Sequence, residues 1–171
     1  TARPIAAERR AQIMRKGISA ISVPDQRWAR CDIKSISLLP NVLARQSARN
    51  AKVQEAWQID GQGMVTEGAA TNAWIVDAKG VLRTRPADHE ILNGIVRQVL
   101  LDCVAELGLK FAEKPFSLSE ALAAKECFST ASTMSVFPVV KLDGQKIGSG
   151  KPGPVAKALS VAYDTVEQEV F

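Results

Sequence analysis

The sequence runs to 171 residues, 46% apolar and 23% charged, ordinary proportions for one globular domain with a core of its own. Lys and Arg number 22 against 18 Asp and Glu, a net charge of +4 that is too mild and too scattered to indicate nucleic acid. No stretch nears the ~18 consecutive apolar residues of a membrane span, and a single histidine excludes a His-based triad or a multi-histidine metal site.

The start, Thr1-Ala2-Arg3-Pro4, reads as neither a signal peptide nor an initiator methionine, and points to an internal cut. Cys31, Cys103 and Cys127 are odd in number and lack Cys-x-x-Cys spacing. They read as reduced, partly buried thiols of a cytoplasmic protein, with no disulfide framework or zinc site.

In chain order, residues 5–16 have the pattern of a helix, ended by Gly17. Ile18 to Val23 alternates as a strand that stops at Pro24-Asp25. Residues 28–37 read as a second strand, carrying Lys34 between Ile33 and Ile36. Pro40-Asn41 opens a helix to about Ala51, with Leu43 and Ser47 on one face and Arg45 and Arg49 on another. From Val53 to Thr84 comes a meander of short apolar runs broken by Asp60-Gly61-Gln62-Gly63 and Asp77-Ala78-Lys79-Gly80, an antiparallel signature. A long helix is expected from Ile95 to Leu107, with Val96, Val99, Leu100, Cys103, Val104 and Leu107 as its buried stripe and Gly108 after it. A strand near Phe111–Phe116, a capped helix opening Ser117-Leu118-Ser119-Glu120, and a strand at Glu126–Thr130 follow. A hairpin turning at Asp143-Gly144 and a final amphipathic helix, Val155–Val170, complete an α+β chain with mostly antiparallel sheets and packed helices.

Four stretches can carry chemistry. A lysine among apolar neighbours loses hydration, and desolvation favours a neutral, nucleophilic amine; alone, the window around Lys34 fits a solvent-facing strand lysine just as it stands. Glu67 ends a strand before the small residues Gly68-Ala69-Ala70, where a flat ring can approach backbone closely, or where a turn glutamate simply faces water. Leu92-Asn93-Gly94-Ile95-Val96-Arg97 opens the long helix, whose free N–H groups and dipole favour an anion, as at any helix start. Ser129 to Thr133 is a hydroxyl-rich strand end able to donate to phosphate oxygens, or an ordinary Ser/Thr turn. His89, between Asp88 and Glu90, reads as a surface residue. No Gly-rich dinucleotide or phosphate loop is present.

The run Arg30-Cys31-Asp32-Ile33-Lys34-Ser35 with Leu38-Leu39-Pro40-Asn41 resembles the large C-terminal domain of class IV pyridoxal-phosphate-dependent aminotransferases. Val65-Thr66-Glu67-Gly68, Leu92 to Arg97 and Ser129 to Thr133 carry the resemblance onward at matching spacings. It runs from about Gly17 to Val170, and within the family it is nearest the D-amino-acid transaminase-like branch. The resemblance implies the fold type IV architecture and a role for each stretch. Lys34 bonds to the pyridoxal 5'-phosphate cofactor and moves the proton of the substrate α-carbon. Glu67 faces the pyridine nitrogen, and Leu92 packs on the ring. The N–H groups of Ile95 and Val96, with Gly94 before them and Ser132 and Thr133 opposite, hold the phosphate.

Three departures from the family pattern are expected to alter contacts. Val96 stands for a frequent threonine, Ala69-Ala70-Thr71 for a more serine-rich run, and Met134-Ser135 for a pair often ending in glutamate. The activity implied is transamination between a D-amino acid, such as D-alanine, and a 2-oxo acid. A branched-chain L-amino-acid transaminase, an aminodeoxychorismate lyase, or a non-catalytic binding relative are the alternatives. The family's N-terminal small domain, on the same or a companion chain, is absent from these residues, so the chain alone is expected to bind cofactor weakly and turn over poorly. A homodimer is implied, with no nucleic acid or membrane partner.

Overall fold

Strand order dictates the shape of this molecule. The computed structural model describes residues 7–170, and among them nine strands form one sheet in the order β3-β2-β1-β8-β7-β4-β5-β6, with β9 beside β8. The strands are β1 (Ile18–Pro24), β2 (Glu55–Ile59), β3 (Val65–Gly68), β4 (Asn72–Val76), β5 (Leu82–Thr84), β6 (Phe111–Glu113), β7 (Glu126–Ala131), β8 (Ser135–Leu142) and β9 (Gln145–Lys146). Residues 69–71 join β3 to β4 although four strands lie between them, and Gly68 N–H donates to Thr71 O at 2.7 Å. A turn that short forces the sheet to curl back on itself. Five of the pairings among these strands are antiparallel; β1 runs parallel to both β2 and β8, and β5 to β6.

Period-two alternation sorts the side chains onto the two faces. Ala73, Ile75 and Cys127 point inward with Trp57, Ala20 and Val139, and Phe116 and Ala121 close that interior. Trp74, Val76 and Phe128 point outward under two helices, α3 (Ile95–Glu106) and α5 (Pro154–Val170), which contribute Leu100, Val104 and Leu159. Buried aliphatic and aromatic side chains of this kind each stabilise by ~1.5–3 kcal/mol. The indoles remain satisfied: Trp57 donates to Ser129 Oγ at 2.9 Å and Trp74 to Thr130 Oγ1 at 3.0 Å.

The remaining helices are α1 (Ala7–Lys16), α2 (Leu39–Asn50) and α4 (Leu118–Leu122). Residues 5 and 6 of the first expected helix lie outside the described residues. Gly17, at φ 71°, turns the chain from α1 into β1 where a Cβ would collide with Val140, so both conformation and space require glycine. Ser117 caps α4 in the expected box, its Oγ accepting from Glu120 N–H while the Glu120 carboxylate accepts from Ser117 N–H. Glu126 of β7 accepts from the N–H groups of Val155 and Ala156, each at 3.0 Å, capping α5 from the sheet. Among the described residues, no helix is long and apolar enough to cross a membrane.

Three expectations are corrected. Residues 28–37 form no strand: they belong to a loop running from β1 to α2. Ile33 and Ile36, the apolar residues flanking Lys34 in that expected strand, are exposed, Ile36 by 97%. The buried face of α2 is Ala44 and Ala48 rather than Leu43 and Ser47, because small residues let the helix lie close on Ala56 and Ala69. Leu107 ends the long helix as its exposed C-cap, while Arg97, on the same helix, is wholly buried.

Candidate active site

A cleft of about 680 Å³ opens where the β1–α2 loop, the β3–β4 turn, the start of α3 and the end of β7 converge. Lys34, Glu67, Leu92, Gly94, Ile95, Val96 and Ser132 all line it. Residues spread over nearly a hundred positions are thus gathered at one site by the curl of the sheet. Thr133 does not reach the lining; it lies exposed in the turn between β7 and β8.

Glu67 is the buried end of the site. It sits on β3 with Oε2 accepting from Leu92 N–H at 3.1 Å and from Asn72 Nδ2 at 3.1 Å, while Oε1 takes Arg27 Nη1. Burial pushes its carboxyl up to about 7, against the opposing pull of the Arg27 charge and the Leu92 hydrogen bond. A group near neutrality, held by three donors, can accept a hydrogen bond from a cationic partner or carry a proton at physiological pH.

The Arg27 side chain is itself only 5% exposed, and Asp25 grips it from the side away from Glu67. Asp25 Oδ1 accepts from Arg27 Nε at 2.9 Å, Oδ2 from Nη2 at 2.7 Å, and Nη2 also donates to Glu90 O at 2.9 Å. Asp25 stays ionised: burial works to raise its pKa, but the Arg27 and Thr66 hydrogen bonds outweigh that and leave it below the ordinary value.

The opposite wall is the N-terminus of α3. Gly94 is its N-cap, without a side-chain cap, and the first intrahelical bond runs from Gln98 N–H to Gly94 O at 3.0 Å. The N–H groups of Ile95, Val96 and Arg97 precede that bond and are left for another acceptor. Gly94 abuts Asn72 Oδ1 so closely that a Cβ would collide with it. The helix start is thereby locked against β4, the strand whose Asn72 also steadies Glu67.

Lys34 lies across the cleft, exposed, in the β1–α2 loop. Its neighbours Ile33 and Ile36 do not surround it with apolar groups in this chain, contrary to expectation. The loop is anchored by Cys31 N–H donating to His89 O at 2.8 Å; His89 is exposed, as expected. Ser129 Oγ and Thr130 Oγ1 accept from the two tryptophans, and of that cluster the hydroxyl-bearing residues Thr130 and Ser132 line the cleft. All three cysteines are unbridged, Cys103 and Cys127 in the core and Cys31 half-buried at the cleft.

Sequence reasoning missed Arg27, Asp25 and Asn72. Arg27 and Asp25 flank the run that carries Lys34, and an acid two residues before an arginine was the available signal. Asn72 follows the Glu67 motif with no spacing rule to mark it.

The likeness to known proteins is extensive. A family model described as amino-transferase class IV matches residues 1–142. The D-alanine aminotransferase of Bacillus licheniformis is 45% identical over 146 residues, covering 85% of this chain and 51% of that protein. The D-alanine aminotransferase of Listeria innocua is 41% identical over 144 residues, covering 84% and 49%. Among solved structures, the branched-chain amino acid aminotransferase of Escherichia coli superposes with a TM-score of 0.79 at 29% identity, over 90% of this chain and 53% of that one. The chain spans about half the length of the curated relatives it matches.

Proposed function

The chain belongs to the class IV aminotransferases, and from that premise we propose that it forms the cofactor-binding half of an enzyme moving an amino group between a D-amino acid and a 2-oxo acid. The observation that carries the reading is the sharing of one cleft by a primary amine, a buried carboxylate near neutrality and an uncapped helix N-terminus. That donor set suits pyridoxal 5'-phosphate, an aldehyde on a basic ring with an anionic tail. The cofactor supplies an aldehyde that takes up the amino group and a ring that accepts the electron pair left when the α-proton departs.

The residues divide the work. Lys34 Nζ would hold the cofactor at its aldehyde and would take the proton from the substrate α-carbon. Glu67, held in place by Asn72, Leu92 N–H and Arg27, would accept from the ring nitrogen and favour its protonated form. The N–H groups of Ile95 and Val96, with the hydroxyl of Ser132, would hold the phosphate, and Leu92 would pack against the ring. Gly94 lets the helix start approach β4.

Apolar side chains border the cleft and remain substantially exposed: Trp28, Ile33, Leu38 and Ile95. That rim supports a second wall, an N-terminal small domain on the same or a companion chain, and assembly as a homodimer. Covered in this way, Lys34 loses water and gains the apolar surroundings that this chain alone does not give it. Without the second wall, positioning is lost and turnover is expected to be poor. The unbridged cysteines support a reducing, cytoplasmic setting.

Relatives at 41–45% identity are D-alanine aminotransferases, whereas the superposed branched-chain enzyme is 29% identical, which supports the D-amino-acid reading over the branched-chain one. Incubating the full-length protein with D-alanine, L-alanine or L-leucine and 2-oxoglutarate tests it. Pyruvate formed from D-alanine alone is the expected result; a preference for L-leucine overturns the assignment.

A further inference from the structure

We propose that Asp25 is a positioning residue that sets the proton occupancy of Glu67 by holding Arg27 with a single nitrogen free to reach it. Its importance to the reaction rests on the reading of Glu67 given above; its electrostatics do not.

The geometry is specific. Arg27 presents five N–H donors in a rigid plane. Asp25 occupies the Nε and Nη2 edge with both carboxylate oxygens, at 2.9 and 2.7 Å, and Glu90 O takes a second Nη2 hydrogen at 2.9 Å. Only Nη1 is left to face Glu67. Asp25 is fixed in turn: its Oδ1 accepts from Arg27 N–H at 3.0 Å, and its Oδ2 from Thr66 Oγ1 at 2.6 Å. Thr66 immediately precedes Glu67 on β3, so the two acids are registered to one strand with the guanidinium between them.

Two carboxylates therefore divide one positive charge, and they divide it unequally. Asp25 takes the bidentate share and remains ionised; Glu67 takes one contact at the buried end. The other groups facing Glu67 are few. From the β1–α2 loop come Cys31 and, across the cleft, Lys34. From β4 comes the neutral amide of Asn72, and from the loop before α3 the Leu92 N–H. Glu90, on that same loop, sends its carboxylate to Arg85. Among these groups Asp25 is the acid that competes for Arg27.

Removing the Asp25 charge gives Glu67 the whole of the guanidinium, and its proton should leave at lower pH. The test is carbon-13 NMR titration of glutamate δ-carboxyls in the full-length protein, without substrate or pyridoxal phosphate. The Glu67 resonance is assigned by its loss in Glu67→Gln. Wild-type Glu67 is expected to titrate near neutrality. In Asp25→Asn it should titrate about one unit lower, and Asp25→Glu, which restores the charge, should bring it back. Asp25→Ser repeats the neutral substitution with a smaller side chain should the asparagine variant not fold. A Glu67 titration that stays put or rises in a folded neutral variant overturns the proposal. Because the titration needs no cofactor, that result leaves the aminotransferase reading intact, whereas failure of the full-length protein to take up pyridoxal phosphate sinks that reading and spares the titration.

Discussion

Asn72 holds Leu92 by its carbonyl, the side-chain amide donating at 2.7 Å, while Leu92 N–H donates to Glu67 Oε2 at 3.1 Å. The same Asn72 amide reaches Glu67 Oε2 at 3.1 Å, which closes a triangle between β4, β3 and the loop before α3. Two walls of the cleft are therefore set by one side chain. Asn72→Ala removes both donors and leaves a buried carboxyl short of a partner, a loss of about 1–3 kcal/mol. Urea unfolding of the variant against wild type checks this; an unchanged midpoint means the triangle contributes nothing.

Glu67 makes stability depend on pH in a particular direction. Its native pKa of about 7 stands above the ordinary 4.5, so between these values the native state holds a proton that the unfolded chain has released. Stability is full below the lower value and falls as pH rises through the window, by at most about 3 kcal/mol from this residue. Glu67→Gln has no proton to lose. Its unfolding free energy should be flatter from pH 4.5 to 7 than that of wild type, as read from denaturant midpoints; parallel slopes would contradict the burial argument.

Gly94 is needed for space, and the need is specific to its position. A methyl group there meets Asn72 Oδ1, whereas at Gly61 nothing lies within 4 Å. Gly94→Ala should push Asn72 away from Glu67 and Leu92 and cost about 1–3 kcal/mol, with Gly61→Ala near neutral. Thermal unfolding of the two variants side by side makes the comparison, and equal behaviour would remove Asn72 from the account of the helix start.

The sequence announced most elements because their signals are local. Ser117-x-x-Glu120 is a capping box in both readings, Gly17 and the Asp143-Gly144 turn fall where expected, and alternation separates Ile75 from Trp74. Pairing is different: that β1 lies parallel between β2 and β8 depends on partners far along the chain, which no local pattern encodes. The loop around Lys34 misled because Ile33 and Ile36, the apolar residues flanking that lysine in the expected strand, lie exposed. In α2, Leu43 outranked Ala44 on hydrophobicity, yet only the smaller residue fits the close approach to the sheet. Arg27, Asp25 and Asn72 carry no motif of their own. Their roles emerge only when the curled sheet brings β3, β4 and the β1–α2 loop together.

Lys34 decides the account. Treating the full-length protein with pyridoxal 5'-phosphate, reducing it with borohydride and mapping the modified peptides by mass reads the covalent attachment directly. One reduced adduct is expected, on Lys34, with the visible absorption of the loaded protein absent in Lys34→Ala. A label on another lysine, or a Lys34→Ala protein that keeps that absorption, would contradict it.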